Sequence, residues 1–291
     1  MNIKRLERVL NVQSIYGQEK DMSRLIINEL QAIIPDKDII ITPYGIIVSK
    51  GKGIRPCFCS HIDTVHEIVD NYKVVKEYHK DDILYSSKTG IGGDDKNGIA
   101  ICFELLERLD NVQVVFFSGE EVGCLGSSGI DLKYFDHCSC LIGLDRKGNS
   151  DIIATYNGFD TINKEFKDLL NSIKKNHGYE YNNGFITDVF TLFERGVDIS
   201  CINISCGYYN PHSKSEYISL NDMNKCLSFS LDIAKSIKKE RYGVEYYDYC
   251  FDDNFDNYCD FCKDYCNCYE TKYGFLCVDC MIEIINEGDI I

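Results

Sequence analysis

Five short segments of the chain combine histidines or carboxylates with strand ends or glycine-rich turns. They are Ser60-His61-Ile62-Asp63-Thr64, Gly92-Gly93-Asp94-Asp95-Lys96-Asn97-Gly98, Ser118-Gly119-Glu120-Glu121, Asp145, and Tyr208-Tyr209-Asn210-Pro211-His212-Ser213. Adjacent acids such as Asp94 and Asp95 repel each other unless a cation lies nearby. Two divalent metals that share one carboxylate need such a set of imidazole and carboxylate ligands. The pattern therefore predicts a metal centre.

Each segment alone also has an ordinary interpretation. The acids of Asp94-Asp95 suit a solvated turn that caps a helix, Asp145 suits a helix cap, and a lone histidine such as His212 is more often structural. The pair Glu120-Glu121 favours a metal site over an ordinary loop more strongly than the other segments do. Two carboxylates buried beside a hydrophobic strand are energetically costly without a cation.

His61 and Asp63 are two residues apart at the end of a predicted strand, so their side chains face the same side. His61 is therefore a candidate metal ligand, and Asp63 a candidate partner for the other nitrogen of its imidazole.

Strands and helices alternate along residues 1–242, which predicts an α/β domain whose sheet is covered by helices on both faces. The predicted strands are 38–42 and 45–49 (a hairpin), 56–60, 83–86, 112–117, 138–144, 152–156 and 199–204. The predicted helices are 17–33, 99–109, 159–175, 188–195 and 219–239. Most of the candidate residues follow the C-terminal ends of strands, where open α/β sheets bind ligands.

The composition excludes some classes of partner. The 291 residues carry a net charge of -15, which argues against nucleic acid and gives no reason to approach an anionic membrane. No apolar run is long enough to span a bilayer, and the N-terminus lacks the apolar core of a signal peptide. With 16 cysteines and no targeting signal, we expect a cytoplasmic protein with reduced thiols.

Residues 243–291 form a second predicted segment that is acidic and rich in cysteine. Cys259-x2-Cys262 and Cys277-x2-Cys280 are 14 residues apart, which is typical of a structural zinc ribbon. Either Cys266 or Cys268 could replace one of these four cysteines as a ligand, and a disordered tail is the alternative. Because so short a segment has little core, one structural zinc would supply most of its stability. It would either dock to a protein partner or cover the cleft of the first domain.

The five motifs, in their order along the chain, resemble the co-catalytic dizinc exopeptidases. That group includes peptidase T, carboxypeptidase G and the bacterial leucyl aminopeptidases. The resemblance runs from about residue 10 to residue 238. Three stretches look most like the peptidase T branch: Ser60–Val65, Gly93–Gly98, and Gly207–Ser213 with its continuation to Glu216.

The resemblance implies a mixed, mostly parallel sheet of the zinc exopeptidase fold and two zinc ions, or another divalent metal, in the active site. His61 and Asp145 would hold one ion, and Glu121 and His212 the other. Asp94 would bridge the two.

The resemblance also implies the catalytic roles. Asp63 would orient His61. Glu120 would be the general base that takes a proton from a zinc-bound water and passes it to the leaving amine. The peptide bond between Asp94 and Asp95 is commonly cis in such enzymes and is expected to be cis here.

For the possible substrate contacts, the sequence leaves two roles open for each residue. Asp188 would meet a substrate α-amine or cap a helix, and Tyr208 or Tyr209 would stabilise the tetrahedral oxyanion or pack. Many relatives carry a lid or dimerisation domain between the equivalent residues, but only 66 residues separate Asp145 from His212, so we expect that domain to be absent or vestigial here.

We expect hydrolysis of small peptides by an aminopeptidase or a di- or tripeptidase. One alternative is an N-acyl amino acid amidohydrolase. Another is an inactive binding module that uses the C-terminal segment, although an intact Glu120 argues against inactivity.

Overall fold

The computed structural model describes residues 1–77, 82–238, 240–244, 262, 268–271 and 274–277. The chain divides into two compact units, Met1–Glu245 and Tyr246–Ile291. The described α-helices are α1 (Ile3–Leu10), α2 (Lys20–Gln31), α3 (Gly93–Arg108), α4 (Leu125–Gly129), α5 (Lys164–Ile173), α6 (Asp188–Glu194) and α7 (Leu220–Ser236).

The described strands of the first unit run from β1 to β14. They are β1 (Ile39–Thr42), β2 (Gly45–Lys50), β3 (Arg55–His61), β4 (Val74–Glu77), β5 (Ile83–Ser86), β6 (Val112–Phe117), β7 (Cys138–Arg146), β8 (Asp151–Ile153), β9 (Thr155–Tyr156), β10 (Phe159–Asp160), β11 (Glu180–Asn182), β12 (Cys201–Ser205), β13 (Tyr208–Tyr209) and β14 (Tyr217–Ser219).

Eight strands form the central sheet in the order β1-β2-β6-β3-β7-β12-β8-β11. The central neighbours β6, β3, β7 and β12 run parallel. The hairpin β1–β2 pairs antiparallel with β6, and β8 pairs antiparallel with β12. The predicted mixed, mostly parallel sheet is therefore confirmed.

Alternating strand residues supply two hydrophobic cores, one on each face of the sheet. In β6, Val114 and Phe116 pack into the core that also contains residues of α1, α2, α3 and α7. Val115 and Phe117 pack into the opposite core, with Phe190 of α6. Since successive side chains of a strand point to opposite faces, a continuous apolar run such as β6 needs cover on both sides.

The helix predicted over 159–175 is shorter than expected. Phe159–Asp160 instead pairs antiparallel with β9, and the connecting Asn157-Gly158 has both residues at positive φ, which is the signature of a tight hairpin turn. The helix begins at Lys164 because the Asn163 side chain accepts a hydrogen bond from the Phe166 backbone N–H at 2.8 Å.

A second sheet, in the order β13-β14-β5-β4, is antiparallel. Only β5 was expected from the sequence, because the other strands are two to four residues long and lack a clear alternating pattern. This sheet places Tyr208 and the residue before β14, Glu216, beside the start of α3.

In the second unit, β15 (Cys268–Thr271) and β16 (Gly274–Cys277) form an antiparallel hairpin. Cys262 and Cys277 are described, whereas Cys259 and Cys280 lie outside the described residues. The zinc ribbon therefore stays a prediction. Over the described part of the chain, no helix has both the length and the apolar character required to cross a membrane.

Candidate active site

Three parallel strands bring candidate residues to one edge of the central sheet. His61 is the last residue of β3, Glu120 and Glu121 follow β6, and Asp145 lies near the end of β7. Because β3 pairs in parallel with both β6 and β7, the C-terminal ends of the three strands lie side by side. His212 reaches the same place from the loop after β13, where its φ is +58°.

Asp94 lies between the two imidazoles. Its Oδ1 is 3.2 Å from Nε2 of His61, and its Oδ2 is 3.3 Å from Nε2 of His212. The Asp94-Asp95 peptide bond is cis, as the resemblance implied. Each oxygen of one carboxylate thus faces a different imidazole, which is the arrangement that a bridging ligand requires.

The remaining carboxylates divide between the two histidines. Nε2 of His61 is 3.8 Å from Oδ1 of Asp145 and 3.9 Å from Oε2 of Glu120. Nε2 of His212 is 3.0 Å from Oε2 of Glu121. Ligand atoms of two sets lie within 4.8 Å of one another: His61, Glu120 and Asp145, and His61, Asp94 and Glu121. Glu120 therefore belongs, together with Asp145, to a group of side chains that could hold an ion.

Asp63 makes contacts on both sides of the site. Its carboxylate accepts the backbone N–H groups of Glu120 and Glu121, both at 3.1 Å. The same carboxylate is 3.5 Å from Nδ1 of His61, whose ring also contacts the Asp63 carbonyl at 3.0 Å. Asp63 is fully buried. One side chain therefore positions both the imidazole and the turn that carries the paired glutamates.

The crowding of acids shifts their protonation. Burial and repulsion by Asp145 raise the pKa of Glu120, and burial together with Asp94 raises the pKa of Asp145 to about 7. Hydrogen bonds to Asp94 and Glu121 raise the pKa of His212 to about 10. The pKa values of Glu120 and Asp145 are raised because several carboxylates share a small buried volume, and a divalent cation would offset that repulsion.

One atom of the site provides a separate test of whether a metal fits. Oε1 of Glu121 is buried, and no hydrogen-bond partner for it is present among the described residues. An unpaired buried carboxylate oxygen is costly. Imidazole nitrogens and carboxylate oxygens are the donors that zinc accepts in catalytic sites. The residues present therefore fit a metal centre.

The candidate substrate contacts differ in where they point. The Tyr208 hydroxyl donates to Oδ1 of Asp145 at 3.0 Å, and Tyr208 lines the cavity beside the acids. The Tyr209 hydroxyl donates to Asp222 at 2.6 Å, and Tyr209 does not line that cavity. Neighbouring strand residues face opposite sides, so only one of two adjacent tyrosines can enter the site.

Asp188 likewise does not line the cavity. It is buried and accepts a hydrogen bond from the Ser127 hydroxyl at 2.6 Å. The N-cap position of α6 belongs to Thr187, so the N-cap role expected for Asp188 is corrected. Thr187, rather than Asp188, lines the cavity.

Glu216 is a functional candidate to which the sequence analysis assigned no role. It is fully buried, and its two oxygens accept the backbone N–H groups of Asp94 at 3.0 Å and Gly92 at 2.7 Å. Nε2 of His66 lies 2.5 Å from Oε2 of Glu216. The available signal was an acid four residues after His212, within a stretch that resembles peptidase T. Glu216 thus holds the backbone of the loop that presents Asp94.

Replacing Glu216 by Ala should weaken active-site metal binding by about 10- to 100-fold, because outer partners of this kind hold ligands in position. The variant leaves the buried N–H groups of Gly92 and Asp94 without an acceptor. Competition with a chelator measures the affinity. Glu216→Gln keeps one acceptor oxygen and should recover part of the loss. Equal metal affinity in Glu216→Ala and the unmodified protein would contradict this role.

The fold is similar to those of solved peptidases of low sequence identity. A tripeptidase from Staphylococcus aureus matches with a TM-score of 0.67 and 14% identity over 80% of this chain and 96% of that chain. Aminopeptidase PepT from Bacillus cereus matches with a TM-score of 0.68 and 13% identity over 80% and 97%. The TET1 peptidase of Pyrococcus horikoshii, which assembles into a tetrahedron or an octahedral shell, matches with a TM-score of 0.60 and 17% identity over 80% and 98%.

These likenesses establish the fold, and the sequence itself establishes the family. No curated protein matches the chain significantly. The model of peptidase family M28 matches residues 50–239, which is more than half of the chain and includes all seven predicted active-site residues. The match agrees with the metal-ligand chemistry at the edge of the sheet. The chain therefore belongs to peptidase family M28 and is a zinc-dependent exopeptidase.

Proposed function

We propose that the protein releases residues from the amino-terminal end of small peptides, as an aminopeptidase or a di- or tripeptidase with two zinc ions. The observation that carries the two-metal proposal is the position of Asp94 between His61 and His212, at 3.2 Å and 3.3 Å. A single carboxylate with one oxygen toward each imidazole suits two cations better than one. The solved neighbours include a tripeptidase and aminopeptidases, which supports small peptides as substrates.

We assign the ligands of the two ions as the resemblance implies, and the distances among these side chains are compatible with that assignment. His61 and Asp145 would hold one ion, Glu121 and His212 the other, and Asp94 would bridge them. The buried Oε1 of Glu121, which lacks a partner in the described part of the chain, supports Glu121 as a ligand. Bound zinc would polarise the scissile carbonyl and increase the acidity of the attacking water.

Glu120 would move the proton during hydrolysis. Its carboxylate lines the cavity, and its Oε2 lies 3.9 Å from Nε2 of His61. Burial raises the pKa of Glu120, so that the carboxyl retains a proton more readily than an exposed one would. It would accept a proton from the attacking water and deliver it to the leaving nitrogen. Asp63 would hold Glu120 in place through the backbone N–H of that residue.

Of the three proposed substrate contacts, Tyr208 has the best support. Its hydroxyl lies at the cavity beside Asp145, within 3.0 Å of Oδ1. A donor at this point would stabilise the oxyanion of the tetrahedral intermediate. Asp188 and Tyr209 do not line the cavity and are hydrogen-bonded to Ser127 and Asp222, so we do not assign substrate contacts to them.

A panel of matched tripeptides tests the proposed direction of attack. We expect a peptide with a free amino terminus to be cleaved, and its N-acetylated form to lose about 100-fold in kcat/KM. A chelator should abolish cleavage, and added zinc should restore it. Faster cleavage of the N-acetylated peptide, or of N-acyl amino acids, would instead favour the amidohydrolase alternative. Binding without any turnover would favour the inactive binding module.

For residues 243–291 we propose one structural zinc, held by Cys259, Cys262, Cys277 and Cys280. The support is the spacing of the two CxxC pairs. A role in docking to a protein partner, or to the first unit, remains part of this proposal. We also propose a cytoplasmic location, because nine buried cysteines of the described chain are free thiols, as a reducing compartment requires.

A further inference from the structure

The cavity beside the acids has a volume of about 220 Å³ and walls of three kinds. Asp94, Glu120, Glu121 and Asp145 form an acidic wall. Phe185 and Ile186 form an apolar lip and are 84% and 49% exposed. Arg146 and Lys147 form a basic wall. The acidic wall belongs to the proposed metal centre, whereas the basic wall has no role in it.

We infer that Lys147 binds the C-terminal carboxylate of the substrate and makes the enzyme selective for short peptides with a free carboxylate near the scissile bond. This inference rests on the proposed function, because it names the substrate class of the same site.

The two basic residues differ in how their charges are used. The Arg146 guanidinium donates to Oδ2 of Asp151 through Nε at 3.1 Å and through one terminal nitrogen at 3.0 Å. Its charge is therefore already neutralised. The Lys147 side chain is exposed, and no carboxylate of the described residues lies within ion-pair distance of it. Lys147 is the basic residue of the wall whose ammonium remains available to a ligand.

The backbone of Lys147 is held firmly although its side chain is exposed. Its carbonyl accepts a hydrogen bond from the Ser205 hydroxyl at 2.7 Å. The next residue, Gly148, donates to the Tyr208 carbonyl and accepts from the Gly207 N–H, both at 2.8 Å. A side chain that starts from a fixed backbone loses less entropy on binding a ligand than one on a free loop.

The position along the chain gives Lys147 a suitable reach. It follows Asp145 by two residues, directly after β7 ends at Arg146, and two residues of chain span at most about 7 Å. One residue of a bound peptide spans about 3.5 Å. The carboxylate of a residue one or two places after the scissile bond therefore falls within reach of the flexible lysine stem. In a longer peptide the carboxylate would lie beyond that reach.

The charge of the cavity favours the same ligand. Two divalent cations would balance the four carboxylates of the acidic wall. Lys147 would then attract an anion to a protein whose net charge of -15 otherwise repels one. A peptide carboxylate is the anion that every short substrate carries.

The test compares one apolar tripeptide with a free C-terminal carboxylate and its C-terminal amide, both with a free amino terminus. For the unmodified protein we expect kcat/KM to be about 10- to 100-fold higher for the acid, mainly through a lower KM. Lys147→Ala should lose this preference, Lys147→Arg should retain it, and Lys147→Glu should favour the amide. Lys175→Ala removes an exposed lysine outside the cavity lining and serves as the matched control.

The outcomes separate this inference from the proposed function. Cleavage of the acid and the amide with equal kcat/KM by the unmodified protein would overturn the role of Lys147 and leave the peptidase assignment in place. A preference for the acid that survives in Lys147→Ala would do the same. Failure to cleave either peptide, with the metal present, would overturn both proposals.

Discussion

Replacing Glu120 by Gln should lower kcat by about 100- to 10,000-fold while the protein keeps its metal ions and its fold. Gln has nearly the same shape as Glu but does not accept the proton of the attacking water. The backbone contact that positions this residue does not depend on the side chain, because Asp63 accepts the N–H of residue 120 at 3.1 Å. The loss should therefore appear in kcat for every peptide tested.

Three measurements check the Glu120 prediction together. Steady-state kinetics give kcat, metal analysis gives the number of ions, and thermal unfolding reports the fold. Glu67→Gln makes the same chemical change at an exposed site and should leave all three as in the unmodified protein. Retention of full kcat in Glu120→Gln would remove Glu120 as the general base. Loss of metal in the same variant would instead assign Glu120 as a ligand, which its distance of 3.9 Å from His61 Nε2 makes a real alternative.

The second large effect is expected at the two neighbouring aspartates, which should respond differently to the same substitution. Asp94→Asn should lose active-site metal and reduce activity by at least about 100-fold, because it removes one charge of a buried pair. Hydrogen bonds to His212 and His61 outweigh burial and lower the pKa of Asp94, so the native group is ionised. An amide would present one neutral oxygen where both carboxylate oxygens face an imidazole.

Asp95→Asn should lose less than about tenfold, because the role of Asp95 is to hold the backbone. Its Oδ1 accepts the Gly98 N–H at 3.0 Å, and its Oδ2 accepts the His61 N–H at 3.3 Å. Burial raises the pKa of Asp95, so a neutral amide resembles its favoured state, and one acceptor oxygen is kept. Equal loss of metal and activity in the two variants would contradict the assignment of Asp94 as the bridge.

The same metal analysis separates the active site from the C-terminal segment. We expect the unmodified protein to bind more than two zinc ions, because a structural site adds to the catalytic pair. Cys277→Ser should lose only the ion in excess of two and should keep peptide hydrolysis. Only one ion in total would contradict the dizinc proposal. Unchanged metal content in Cys277→Ser would contradict Cys277 as a ligand.

The residue types, their order and their placement at strand ends were predictable without a structure. The apolar run of β6 is long enough for a strand and too short for most helices, and its polar boundary is at Ser118. Burial on both faces then implies a central position in the sheet. Once β3, β6 and β7 are parallel neighbours, their C-terminal ends bring His61, Glu120 and Asp145 together. Short-range patterns were sufficient for these three residues because each is adjacent to its own strand.

Tertiary contacts decided the parts that no local pattern encodes. His66 and Glu216 are 150 residues apart, yet Nε2 of one lies 2.5 Å from a carboxylate oxygen of the other. Neither has a periodic neighbourhood that would predict the pairing. Asp63 likewise contacts a turn 57 residues away. Such pairs depend on which elements pack side by side. A buried hydrogen bond stabilises the protein only when the elements that carry its two partners are packed together.

The same reason explains why equivalent residues acquired different roles. Tyr208 and Tyr209 are chemically identical neighbours, but the face of β13 directs one hydroxyl to Asp145 and the other to Asp222. Arg146 and Lys147 are neighbouring cations, but only Arg146 meets Asp151. The sequence determines which groups are available for chemistry. The fold determines which of these groups form structural contacts and which remain available to a substrate. Those contacts depend on the distances between residues that are far apart in the chain.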